Sequence, residues 1–399
     1  MSDSNAKNSP QSPPEPTSAN KLSQLRNEIK PLTRRHDMPR RVELCRQALP
    51  LVERERSPEE WASWHVQLAY SLQQNPLGSR ADHLEQAIHH YEQALEVSTR
   101  QAYPEEWAGT QNNLAIAYLY RIRGARAENL EQAIKHYGQA LEVYTRQAYP
   151  EQWAGTQNNL ANALKDRIRG ARADNLEQAI HHYGQALEVR TRQANPEDWA
   201  MTQNNLGEAY RKRIRGKRGD NLERAIEHYE QALEVYTGQA YPEKWAAIQN
   251  NLATAFSDRI RGERGDNLER AIGHYKQALE VRTPQSFPQK CRNTAYWLGR
   301  LLYDEGRLGE AREVFVAAHE AVEALRGEVV REGARRELGE ENADLYARLV
   351  FCCLDEALTG MPSAPSPSPI ERGEHIEAAF EYAAAGKGRA FVDMLASAR

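Results

Sequence analysis

The chain has 399 residues, 40% of them hydrophobic and 27% charged, and a net charge of −4. This polar, faintly acidic balance argues against wholesale nucleic-acid binding, and no apolar run reaches the roughly 18 residues of a membrane span or makes a signal-peptide core. Cys45, Cys291, Cys352 and Cys353 stand at no metal or disulfide spacing, so a reducing cytoplasm is expected, with adjacent Cys352 and Cys353 as core thiols.

Residues 1–20 are rich in Ser, Pro and Asn and are expected to be a disordered tail. Residues 21–56 look helical and apolar enough to cap a neighbouring element, with Trp64 in the core beside them. A repeat then begins. Trp61, Trp107, Trp153, Trp199 and Trp245 stand 46 residues apart each time. A fixed period in this range marks a solenoid. Residues 57–290 therefore make five units. Cys291 stands where the next Trp would fall, and residues 291–327 form a sixth, shorter hairpin. Residues 328–360 are expected to be C-terminal capping helices, 361–369 a Pro/Ser linker, and 370–399 a final helix.

One unit runs from Pro104 to Tyr149. "PEEWAGTQNNLAIAYLYRI" opens with Pro and two Glu, which suit the first turn and the positive end of a helix dipole. Ser57 and Asn195 precede the Pro of sister units and are expected N-caps. Trp107, Gln111, Leu114, Ala115, Tyr118 and Ile122 share one helical face. "RGARAEN" breaks the helix at Gly124. A second helix comes next, its apolar stripe formed by Leu130, Ala133, Ile134, Tyr137, Ala140, Leu141 and Tyr144. "DNLE" at Asp174–Glu177 reads as a capping box. Two antiparallel helices of about 19 residues, ~28 Å long, cannot bury both faces alone, so successive hairpins must stack.

These residues resemble the tetratricopeptide repeat. Leu114, Ala115 and Tyr118 on the first helix pair with Ala133, Tyr137 and Ala140 on the second. Leu206, Gly207 and Tyr210 pair with Ala225, Tyr229 and Ala232. Leu298, Gly299, Ala311, Phe315 and Ala318 repeat the pattern at ordinary length. The resemblance covers roughly residues 57–325 and implies an all-α fold, a right-handed α-solenoid of stacked helical hairpins. The departure is length: 46 residues against the usual 34 or so. The terminal "HIEAAFEYAAAGKGRAFVDMLASAR" resembles the segment that leads from long bacterial repeats into a CHAT domain, a caspase-like peptidase. That resemblance implies a protease-regulator context and a CHAT-family protease domain as a partner, without supplying protease residues.

Several polar rows run through the units. "TQNNLA" at Thr110–Ala115 recurs at Thr156–Ala161, with variants at 202–207 and 248–253. In the resembling family the first helix lines the concave groove, and in peptide-binding arrays such as kinesin light chains Asn forms a ladder there. Asn113, Asn159, Asn205 and Asn251 are therefore candidate contacts to an extended protein or peptide ligand, because an amide both donates and accepts. A ladder bonding neighbouring helices is the competing reading. Asn112, Asn158, Asn204 and Asn250 are expected to face neighbouring helices or solvent, and Gln111 and its copies to pack.

The basic row lies in "RIRGAR" and its copies. Arg123, Arg126, Arg169, Arg172, Arg215, Arg218, Arg261 and Arg264 are candidates for an anionic ligand, a phosphate-bearing one or RNA. Pairing with the next unit's acids, such as Glu128, Asp174 or Asp220, is the favoured alternative. His90, His136, His182, His228 and His274 stand a full unit apart, too far to share a metal. No metal or cofactor site is expected. No nucleophile elbow or phosphate loop is present either, since "GKGRA" at Gly386–Ala390 sits within an expected helix without a preceding strand. The reading is a non-enzymatic interaction scaffold.

Overall fold

The computed structural model describes residues 18–328, 341–359, 377–379 and 381–382. The expected linker 361–369, most of the terminal segment and residues 1–17 lie outside them. The described residues are all-α and divide into two compact units, Met1–Arg190 and Thr191–Arg399.

In the first unit, α1 (Ser18–Ile29) and α2 (Met38–Ala48) precede three hairpins: α3 (Pro58–Gln74) with α4 (Arg80–Leu95), α5 (Pro104–Leu119) with α6 (Arg126–Leu141), and α7 (Pro150–Asp166) with α8 (Arg172–Leu187). Each helix packs on the next, and the first helices also touch, α3 with α5 and α5 with α7. Helix α1 begins three residues inside the expected tail. Leu25, Ile29, Leu44 and Cys45 from the two leading helices bury Trp64, Leu68 and Tyr91 in one cluster. Trp64 is 1% exposed, as its core assignment requires.

The second unit repeats the plan. Helices α9 (Pro196–Lys212) and α10 (Arg218–Leu233), α11 (Pro242–Ser257) and α12 (Arg264–Val281), and α13 (Pro288–Asp304) and α14 (Leu308–Glu328) form hairpins, and α15 (Ala343–Thr359) packs on α14. Phe315, Leu298 and Leu302 share a core with Leu345, Leu349 and Cys352. Both Cys352 and Cys353 are buried, and neither is in a disulfide.

The local grammar is partly as expected. Every repeated first helix carries Pro in its first turn. Ser57 and Asn195 do occupy N-cap positions, yet neither side chain caps. Their carbonyls instead accept the Trp amides at 2.9 and 2.8 Å, Trp61 to Ser57 and Trp199 to Asn195. The capping box is also corrected. Helix α8 starts at Arg172, so Asp174 lies inside it, and its N-cap is Ala171. Nor does Ile122 join the core face: α5 ends at Leu119, and Ile122 is 61% exposed. Helices α5 and α6 have 16 residues each, shorter than expected, because the turn takes the rest.

That turn has a fixed construction. Gly124, Gly170, Gly216 and Gly262 take φ between 79° and 81°, a conformation only glycine adopts without strain. Asn175, buried in α8, donates to the carbonyls of Arg167 (3.5 Å) and Arg169 (2.9 Å), and Asn129 does the same to Arg121 (3.4 Å) and Arg123 (2.9 Å). Asn221 and Asn267 hold the carbonyls of Arg215 and Arg261 at 2.9 and 2.8 Å. The sequence places Asn175 within a capping motif at Asp174–Glu177; this asparagine and its counterparts are clamps on the preceding turn.

Between the helices, Ala115, Ala133 and Ala140 are fully buried and permit close approach. At Gly207 and Gly299 the approach is closer still, since a Cβ would lie 2.8 Å from the Tyr229 ring and 2.6 Å from the Phe315 ring.

Candidate functional site

The first-helix faces carry three parallel polar rows with different fates. The Gln row is consumed inside each hairpin. Gln111 accepts a hydrogen bond from His136 Nδ1 at 2.6 Å, and the pairs Gln157–His182, Gln203–His228 and Gln249–His274 repeat it at 2.6, 2.8 and 2.6 Å. In the first hairpin His65 replaces Gln and meets His90 at 3.0 Å. His136, His228 and His274 also stack on Tyr118, Tyr210 and Phe256. Both rows therefore pack, the Gln row as the sequence suggested, and they do so as partners of each other. Burial pushes His65, His90 and His136 down to about 4 and lowers His182, His228 and His274. These imidazoles are neutral near pH 7.

The second row bridges neighbouring hairpins. Thr156 donates to Asn112 Oδ1 at 3.3 Å, Thr294 to Asn250 Oδ1 at 3.0 Å, and Asn251 to Asn204 Oδ1 at 3.0 Å. This is the interhelix role expected of Asn112, Asn204 and Asn250.

The third row, the candidate ligand row, is half-buried at every position: Asn113, Asn159, Asn205 and Asn251. The side-chain carbonyls of Asn113 and Asn159 accept weak bonds from Asn112 (3.5 Å) and Asn158 (3.4 Å). Their amide groups donate to no described residue. Asn251 differs, because its amide is spent on Asn204. Asn113 lines a cleft of about 450 Å³ in the first unit, and Asn251 lines one of about 550 Å³ in the second, beside Asn250, Thr254 and Trp297.

The arginine row lies in the turns and at the first positions of the second helices, with all eight candidates exposed. Arg123 pairs with Asp82, Arg169 with Glu128 at 2.8 Å, and Arg261 with Asp220. Each arginine thus reaches back to the preceding hairpin's second helix, the reverse of the direction the sequence suggested. Arg126, Arg172 and Arg218 donate to the carbonyls of Leu119, Lys165 and Arg211, closing the ends of the first helices. Arg264 stands 3.5 Å from Glu305, and Arg215 lies in the α9–α10 turn. The strongest pairs use a different arginine. Arg121, Arg167 and Arg259 bind Glu85, Glu131 and Glu223 through both carboxylate oxygens at 2.7–2.9 Å. Those hydrogen bonds hold the three carboxyls below the usual range. Among the described residues, no group of three or more His, Cys, Asp or Glu could hold a metal, and no helix is long and apolar enough to cross a membrane.

Comparison with known proteins bears on the fold. A family model described as SNAP, soluble NSF attachment protein, matches residues 142–303. A search of curated proteins found no match. Among solved structures, the apo form of RapI is similar at 14% identity and a TM-score of 0.50, covering 81% of this chain and 98% of that one. A Rap protein complexed with competence and sporulation factor is similar at 15% identity and a TM-score of 0.47, covering 95% and 98%. A tetratricopeptide repeat protein from Parabacteroides merdae is similar at 13% identity and a TM-score of 0.43, covering 80% and 98%. At these identities the likeness is one of fold: the chain is built of tetratricopeptide-like helical hairpins.

Proposed function

We propose that the protein is a non-enzymatic interaction scaffold whose first-helix face binds an extended peptide or protein segment. The observation that carries this reading is the contrast among the three polar rows. Gln111 and its copies are spent on histidines, and Asn112 on the next hairpin. Asn113 and Asn159 stay half-exposed with amide donors that no described residue accepts. An amide donor left unspent at the same position of two successive hairpins, Asn113 and Asn159, suits the alternating N–H and C=O groups of an extended backbone, whatever its side chains. Asn205 and Asn251 extend the row in the second unit.

The terminal resemblance motivates regulation of a CHAT-type protease, with that domain as partner. Four buried cysteines outside any disulfide suit a reducing cytoplasm. The alternative, RNA or a phospho-ligand on the arginine stripe, draws less support, because Arg123, Arg169 and Arg261 already hold carboxylates and Arg126, Arg172 and Arg218 hold carbonyls.

The test is selection of random dodecapeptides on the wild-type protein, followed by affinity measurement on Asn113→Ala/Asn159→Ala. A loss of about tenfold with unchanged melting supports the reading, at roughly 1 kcal/mol per lost hydrogen bond. Equal affinity for wild type and variant contradicts it. For the CHAT context, co-expression with a CHAT domain should yield a stable complex, and its absence counts against that part.

A further inference from the structure

The repeats supply their own internal control at the edge where one hairpin's second helix leads into the next first helix. In the second unit Glu197 is held by a cation from the following hairpin. Lys244 Nζ lies 3.2 Å from Glu197 Oε2, Tyr241 donates to Oε1 at 2.9 Å, and the ammonium sits over the rings of Tyr236 (4.6 Å) and Tyr241 (5.1 Å). One hairpin later the arrangement recurs, with Lys290 2.6 Å and Arg282 3.2 Å from Glu243.

Three periods earlier, 138 residues back in each case, the corresponding positions are Glu59, Ser98, Tyr103 and Glu106. The carboxylate and one tyrosine are kept. The filling aromatic has become Ser98, and the lysine has become a second carboxylate. All four residues line the 450 Å³ cleft of the first unit, with Glu105 and Tyr144, and its wall contains no Lys, Arg or His. The carboxylates of Glu59, Glu105 and Glu106 form no ion pair within the described residues. Ser98 is 6% exposed, and its hydroxyl, facing the cleft, has no hydrogen-bond partner there. The first unit thus keeps the cage that the second unit fills from within, but opened by the loss of one ring and stripped of its cation.

We infer that this cleft receives a basic side chain, the ammonium or guanidinium of a lysine or arginine in a bound peptide, at the place Lys244 takes in the second unit. Carboxylates within reach of two tyrosine rings favour a cation by charge and by ring quadrupole together. Asn113 lines the same cleft, so the site adds a side-chain pocket to the proposed backbone contact. It rests on the peptide reading only in assigning the cation to a peptide.

The test is fluorescence anisotropy with labelled tetralysine, using tetraglutamate and spermidine as competitors. Glu106→Lys and Ser98→Tyr install residues the chain already carries at equivalent positions, so both should fold; should Ser98→Tyr fail to, Glu106→Lys decides alone. The expected result is that each weakens tetralysine binding at least about tenfold, while the charge-matched Glu280→Lys changes it by less than about twofold. Equal losses for Glu106→Lys and Glu280→Lys, or no tetralysine binding to the wild type, would overturn the inference. Competition by spermidine as strong as by unlabelled tetralysine would overturn the peptide assignment. Asn113→Ala separates the two proposals, because the cation site stands if that variant binds tetralysine normally while Glu106→Lys does not.

Discussion

The two edges of these hairpins obey different rules. On the edge where a first helix turns into its own second helix, the four turns at Gly124, Gly170, Gly216 and Gly262 are built alike: a left-handed glycine, a buried asparagine clamp and, at Arg121, Arg167 and Arg259, a two-pronged arginine bond to the preceding hairpin. On the opposite edge the repeats diverge. One position reads Ser98, Tyr144, Arg190, Tyr236 and Arg282, and another reads Glu106, Gln152, Asp198, Lys244 and Lys290. Identity on the first edge follows from mechanics, since each turn must place the next helix in register. On the second edge different side chains do the packing, Tyr144 and Tyr236 among them, and this variation lets each hairpin set what the surface holds.

The broadest way to break this comparison is to weaken the histidine pairs that lie between the edges inside each hairpin. Burial holds His65, His90 and His136 at about 4, against about 6.5 in an unfolded chain. Between those values the unfolded chain takes up protons that the folded one refuses. Stability should therefore be full above pH 6.5 and fall progressively toward pH 4. Melting curves across that range should show a larger loss than any single substitution. A flat profile would mean that the imidazoles are not held neutral.

A sharper blow falls on the uniform edge alone. Asn175→Ala strips the donor from two carbonyls in the turn and should cost about 2 kcal/mol in urea denaturation. A loss below about 0.5 kcal/mol would deny the clamp its role. The variable edge should respond far less. Lys244→Glu, which imports the first unit's charge pattern, breaks a pair whose members are 50% and 54% exposed. The expected cost is under about 1 kcal/mol by the same measurement. The smallest effect belongs to the core between the edges. Tyr137 carries a buried hydroxyl with no partner among the described residues, so Tyr137→Phe should leave stability unchanged or raise it slightly. A clear loss would reveal a missed partner.

Much of this was legible in the sequence. The tryptophan period and the Pro-Glu starts placed the hairpins, because helix starts are local chemistry. The Leu-Ala/Gly-x-x-Tyr spacing gave the close approach of Ala115 and Gly207 to the second helix. What escaped reading depends on partners distant in sequence. Asn175 stands after an Asp and before Leu and Glu, and looks like part of a cap until its carbonyl partners in the preceding turn are seen. Gln111 and His136 lie 25 residues apart, and their pairing needs the register of two helices. Ile122 obeys the helical period but stands beyond the helix end, where apolarity no longer means burial. The open cleft did leave a trace: Ser98 is the small residue in a column of Tyr and Arg. Reading repeats by their deviations would have found it.

The claim on which the account most depends is that Asn113 and Asn159 face a ligand backbone rather than a neighbouring helix. The most direct measurement compares wild type with Asn113→Ala/Asn159→Ala for binding of a peptide selected on the wild type, alongside the melting temperature of each. The account predicts affinity reduced about tenfold or more at unchanged melting temperature. Unchanged affinity with a lowered melting temperature would contradict it and make the row a structural ladder.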